Sequence, residues 1–89
     1  MELSVKWTEI VANIRTREGD GQAIFCRDGW REYAPMVKHA KKECAKNEAI
    51  LLDVVAVWQH RGKVAADDMG KIVESKAIEV HEKEAEVDE

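Results

Sequence analysis

The residues with most chemical potential are two cysteines, Cys26 and Cys44, and three histidines, His39, His60 and His81. A structural zinc site uses four ligands at spacings such as C-x2-4-C and H-x3-5-H. No pair here has that spacing: His39 and Cys44 are five apart, which on a helix does not place them on one face. A cysteine nucleophile needs a histidine base, and both residue types are present, but no glycine-rich elbow or cysteine-enzyme signature surrounds either thiol. The glycines at 19, 21, 29, 62 and 70 match neither a dinucleotide-binding fingerprint nor a phosphate loop. The expectation is a protein without catalysis, metal or cofactor. Both cysteines read as reduced thiols in a cytoplasmic chain, because a small secreted domain is usually cross-linked more densely.

Phosphate contact is the next chemistry to weigh. Lys38, Lys42 and Lys46 recur at four-residue spacing, Lys41 lies beside them, and Arg27 and Arg31 precede them. On a helix they form a basic stripe able to meet nucleic-acid phosphates. Glu43 interrupts the run and the pI of about 5.4 opposes the usual footprint of a nucleic-acid binder. A solvated helix face explains the lysines equally well, so nucleic acid is the lesser expectation.

Protein recognition has the broader support. Three tryptophans, Trp7, Trp30 and Trp58, are many for 89 residues, and tryptophan is enriched at binding hot spots. The C-terminal segment holds Glu79, Glu82, Glu84, Glu86, Asp88 and Glu89 against Lys83 alone, while the rest of the chain is near neutral. Such an asymmetry can steer a basic partner or mimic a polyanion. Trp7, Trp30, Trp58, Glu82, Glu84 and Glu86 are therefore the candidate partner contacts. An acidic tail could also fold back on the lysine stripe and compete with phosphates.

The elements that must position these residues are bounded by length. A chain of 89 residues is one domain, burying roughly 60% of its unfolded surface. Hydrophobic residues at 45% are enough for a core, and charged residues at 36% exceed the ~25% of average domains. No signal-peptide core appears, and no run reaches the ~18 apolar residues of a membrane span.

Leu3, Trp7, Ile10, Val11 and Ile14 follow helical spacing, so residues 3–17 are predicted as a helix with Ser4 as N-cap. Glu18-Gly19-Asp20-Gly21 ends it. Residues 22–33 are either a small β-hairpin turning at Asp28-Gly29 or an irregular turn. Pro35 suits the first turn of a helix. Val37, Ala40, Cys44, Asn47, Leu51, Val54 and Trp58 then make a heptad-like seam over 35–61, stopped by Gly62. Asn47 either fixes register on that seam or breaks it, capping a second helix from Glu48. A last helix begins near Asp67, with Met69, Ile72, Val73 and Val80 as its stripe. The acidic residues of 81–89 are expected to fray.

The expected fold is an all-α bundle of three to four helices with a long central helix, in one domain over 1–80. The expected role is a cytoplasmic regulator or inhibitor that occupies a partner protein's surface, a class that includes phage-encoded (viral) inhibitors of host machinery. Homodimerisation through the 35–61 helix is the specific form of that expectation. The runner-up is a helical DNA-associated transcriptional regulator using the lysine stripe.

Overall fold

The computed structural model describes residues 2–65 and 71–80. The chain runs β1 (Glu2–Thr16), β2 (Gly19–Asp28), α1 (Tyr33–Lys46), β3 (Ile50–Ala65) and β4 (Lys71–Val80). The strands form one antiparallel sheet in the order β2-β1-β3-β4. This overturns the all-α bundle. Of the expected helices only the first half of the 35–61 segment is helical, so a homodimer through a long 35–61 helix has no such helix to use.

The apolar residues of β1 satisfy two periodicities at once. Leu3, Trp7, Ile10, Val11 and Ile14 fit a helical stripe, but Trp7, Thr8, Ile10, Val11, Ile14 and Thr16 are also aromatic or β-branched. Such residues favour a pleated surface, where side chains alternate between two faces. Both faces of β1 carry apolar groups, which blurs the alternation and mimics helical spacing. The same composition, Val54-Val55-Ala56-Val57-Trp58, makes β3 extended where a helix was expected. The expected last helix is likewise extended over its described part, as β4.

The break at Glu18-Gly19 becomes the hairpin turn between β1 and β2. Arg17 and Glu18 occupy the loop, and Gly19 takes φ 122°, a backbone setting that favours glycine. The hairpin therefore lies at 2–28, and Asp28-Gly29 ends β2 rather than turning a hairpin within 22–33. Gly62 lies buried inside β3 and stops no helix.

Because β2 and β3 both run antiparallel to β1, they are parallel to each other, and α1 carries the chain across β1 between them. Pro35 stands in the first turn of α1, and Met36, Ala40 and Cys44 form its buried face. Asn47 ends the helix: its side-chain N–H donates to the Glu43 carbonyl at 2.8 Å, Ala49 N–H donates to the Cys44 carbonyl at 2.8 Å, and Glu48 sits at φ 59°. Asn47 is thus a C-terminal cap, neither a register residue nor the start of a second helix.

The core lies between α1 and one face of the sheet. Ile10, Met36, Ala40, Val54 and Val57 are buried there, with Phe25, Tyr33, Val37, Leu51 and Ile78 packed around them. Val54 and Val57 are three apart, so strict alternation would send them to opposite faces. A register shift between Val11 and Ala12 places both against the helix. The sequence expectations for Asp67, Met69 and Gly70, and for the fraying of 81–89, lie outside the described residues. Among the described residues no helix is long and apolar enough to cross a membrane.

Candidate functional site

Residues directly opposite in an antiparallel ladder share a face. Trp7 stands opposite Asp28 on β2 and His60 on β3, and His60 stands opposite Ser75 on β4. The next row is Cys26, Glu9, Trp58 and Ala77, and the one beyond it Ile24, Val11, Ala56 and Val80. Val5, Gly62 and Ile72 line up on the other side of the Trp7 row. All of these occupy the sheet face that α1 does not cover.

His60 is the centre of that face. Its ring stacks against Trp7 at a centroid distance of 5.2 Å and an interplanar angle of 27°, and against Trp58 at 6.3 Å and 16°. Between the two indoles the imidazole is only 8% exposed although no helix covers it. Nδ1 lies 2.8 Å from Ser75 Oγ. Nε2 lies 3.2 Å from Glu9 Oε1 but off the line of a hydrogen bond, so that buried nitrogen has no aligned partner. Ser75, His60 and Glu9 carry the side-chain types of a nucleophile relay. A working relay needs an in-line hydrogen bond from the imidazole N–H to the orienting carboxylate, and that bond is missing here. The constellation orients an imidazole beneath two indoles and builds a rigid aromatic surface.

Around this centre the face is apolar with an acidic rim. Ile72 and Ile24 are 63% and 59% exposed, and Val5 and Val80 are exposed as well. Among the described residues, Glu9, Asp28, Asp20 and Asp53 share the face with one arginine, Arg15, and no lysine. Arg15 is engaged by Asp20 at 2.7 Å, and Asn13 donates to Asp53 at 3.4 Å. The Arg15 guanidinium, chiefly by hydrogen bonding and also by its charge, holds the exposed Asp20 carboxyl below the usual range against a slight desolvation.

The structure separates the three tryptophans. Trp7 and Trp58 flank His60 on the open face, whereas Trp30 lies on the helix side. Its indole N–H donates to the His60 carbonyl at 2.9 Å, and the Lys6 ammonium sits 4.5 Å from its ring centroid. Trp30 thus pins the β2–α1 connection to the sheet. Thr8, fully buried, reinforces it by donating to the Gly29 carbonyl at 2.7 Å and accepting from Arg31 N–H at 2.8 Å.

Lys38, Lys41, Lys42 and Lys46 are exposed on α1 as the stripe requires. Lys42 and Lys46 line a groove of about 530 Å³ with His39, Arg27, Cys26 and Asp28 at the outer edge of β2. Lys46 also bridges Glu43 at 3.3 Å. Glu82, Glu84 and Glu86 lie outside the described residues.

Cys26 is exposed on β2, Cys44 is buried on α1, and neither is disulfide-bonded. Burial, then the nearby Glu9 charge, raises the Cys26 pKa, and burial, then Glu43, raises that of Cys44. Neither thiol has the depressed pKa of an activated nucleophile. Among the described residues no cluster of three or more His, Cys, Asp or Glu side chains could hold a metal ion.

Sequence reasoning singled out Trp7 and Trp58, weighed His60 only as a metal ligand or catalytic base, and missed Glu9 and Ser75. The signal was present in the alternation Trp7-x-Glu9 and Trp58-x-His60, which becomes legible once both segments are read as strands. No protein-family model, curated protein or solved structure matches the chain.

Proposed function

We propose that the chain is a non-enzymatic protein-interaction module, a small regulator or inhibitor that occupies a partner's surface with the open face of its sheet. The observation that carries this reading is the uncovered face itself. Four strands about 4.8 Å apart and ten residues rising about 3.3 Å each give roughly 600 Å² before side-chain relief. That footprint of the whole face, polar residues included, approaches the ~800 Å² each partner contributes to a standard interface.

Its anatomy suits recognition. Trp7 and Trp58 are held by stacking on His60, so little rotamer freedom is lost when a partner packs on them. Exposed aliphatic residues surround them and the carboxylates of Asp28 and Asp53 lie toward the margin. The fitting partner surface is apolar at its centre and basic at its margin. The unbonded thiols suit a reducing, cytoplasmic setting.

Affinity capture with the full chain and with V5E/I72E tests the proposal. Both positions are exposed on the open face, so the variant should keep its circular dichroism spectrum. The expected result is a protein partner that binds the natural chain and is lost from the variant. Undiminished capture by V5E/I72E would remove the open face from the reading. A DNA-associated role through Lys38, Lys41, Lys42 and Lys46 is the second reading, favoured by the clustering of Lys42 and Lys46 with Arg27. Duplex binding that falls steeply with salt and survives V5E/I72E would support it instead.

A further inference from the structure

β2 forms one edge of the sheet, so half of its backbone groups point outward. Gly29 N–H donates to the Lys6 carbonyl, which sets the alternation along the β1–β2 pair. Counting back from Gly29 turns the peptide groups of Asp28, Cys26, Ile24 and Gln22 away from β1. Beside this edge lies the groove shared by Arg27 on the strand and His39, Lys42 and Lys46 on α1. The field there is positive. Burial and then the Arg27 charge lower the His39 pKa, with smaller shares from Lys46 and Arg31, while Glu43 opposes them.

A strand added to this edge would turn alternate side chains to the α1 side, toward Arg27, Lys42 and Lys46. The intervening side chains would turn to the open side, toward Ile24, Cys26 and Asp28. The matching ligand is an extended segment with an acid at every second position and apolar or basic residues between. This chain contains that pattern: Glu82, Glu84, Glu86 and Asp88 alternate with Lys83, Ala85 and Val87.

We infer that residues 82–88 of a second copy of this chain add to the outer edge of β2 as a further strand, their carboxylates turned to the Arg27–Lys42–Lys46 groove. Spacing along the chain selects a second copy over residues 82–88 of the same chain. Val80 stands in the same row as Ile24, through Ala56 and Val11, but on the opposite edge of the sheet. Reaching the far side of β2 means crossing about four strand spacings, roughly 19 Å. At ~3.3 Å per extended residue that consumes about six residues, whereas residue 81 alone separates Val80 from residue 82. Residues 82–88 of the same chain therefore cannot span that distance. A second copy carries no such constraint, and reciprocal exchange would close a two-fold dimer. A nucleic acid fits the same groove less well: it cannot pair with the strand edge, and Asp28 and Glu43 line the groove without an alternating lysine to meet them.

The test is sedimentation of the full chain at low and high salt, with two charge-reversed variants, K42E/K46E and E84K/E86K. All four positions are charged and away from the core cluster, and circular dichroism checks that each variant folds. The natural chain should self-associate at low salt and dissociate at high salt. Each variant alone should associate about tenfold more weakly or worse. An equal mixture should recover association, because each variant's tail then meets a groove of opposite charge. A natural chain that stays monomeric at low salt would overturn the inference. So would association unchanged in both variants, a mixture that recovers nothing, or a groove whose K42E/K46E reversal affects duplex DNA binding alone.

Discussion

The two faces of the sheet are built from alternate residues of the same strands, yet their environments differ sharply. On the helix side Thr8, Ile10 and Ala12 are fully buried, and the Thr8 hydroxyl both donates and accepts in holding the β2–α1 connection. On the open side Trp7, Glu9, Val11 and Asn13, interleaved with them, are partly exposed. His60 is the one large polar side chain buried there among the described residues, because two indoles take the place of a second layer. The difference teaches that burial follows from what packs on a face rather than from the residue types alone, since both faces contain β-branched and aromatic residues.

The comparison can be broken most directly at Ile10. Ile10→Ala leaves a cavity between β1 and α1 and should cost about 2–5 kcal/mol in chemical denaturation, whereas Val11→Ala on the other face should cost less than about 1 kcal/mol. Equal losses would mean that the open face is covered in solution, which would itself support an interface there. Thr8→Val should come next. It strands the Arg31 N–H and the Gly29 carbonyl without their partner and should cost about 1–3 kcal/mol. Retention of full stability would show that this connection is not what closes the helix side.

His60→Phe sharpens the contrast. Phenylalanine keeps a ring between the indoles and removes a nitrogen with no aligned partner, so stability should change by about 1 kcal/mol or less. A larger loss would assign the Ser75 and Glu9 contacts a greater share than the stacking. The smallest effect concerns Cys26. Because Glu9 raises its pKa, Glu9→Gln should lower it, increase the thiolate fraction at neutral pH and speed alkylation by about threefold or less. For the natural chain the rate should climb with pH beyond the ordinary thiol value of 9.0, since both burial and Glu9 act upward. Fast alkylation at neutral pH would contradict the environment described.

Much of the local punctuation was legible in the sequence. The break at Glu18-Gly19, the helix opening around Pro35 and the interruption at Asn47 each rest on backbone chemistry that acts within a few residues. What misled was periodicity. Trp7, Ile10, Val11 and Ile14 satisfy helical spacing because β1 carries apolar groups on both faces. In the 35–61 seam, Val54 and Val57 reach the helix side only through a register shift against β1, so their spacing of three copies a helix. The β-branched content of Val54, Val55 and Val57 was the better signal, and it points to a strand. For the site, the tryptophans were visible but not their partition, and Trp30 looked equivalent to Trp7 and Trp58 until its indole met the His60 carbonyl.

By itself the sequence determined the break at Glu18-Gly19, the opening of a helix near Pro35 with lysines on its outer face, and the alternating acidic pattern of 82–88, because each depends on neighbours in the chain, whereas it ran that helix on to 61 where the chain turns extended after Asn47. Tertiary structure decided which residues share a face. His60, Glu9 and Ser75 lie in three separate strands, and only the order β2-β1-β3-β4 with its register brings them together. The physical reason is range. Backbone preferences act over a turn or two, while strand pairing joins residues such as Glu9 and Trp58 that are far apart in the chain, and a single shift of register sends a side chain to the other face.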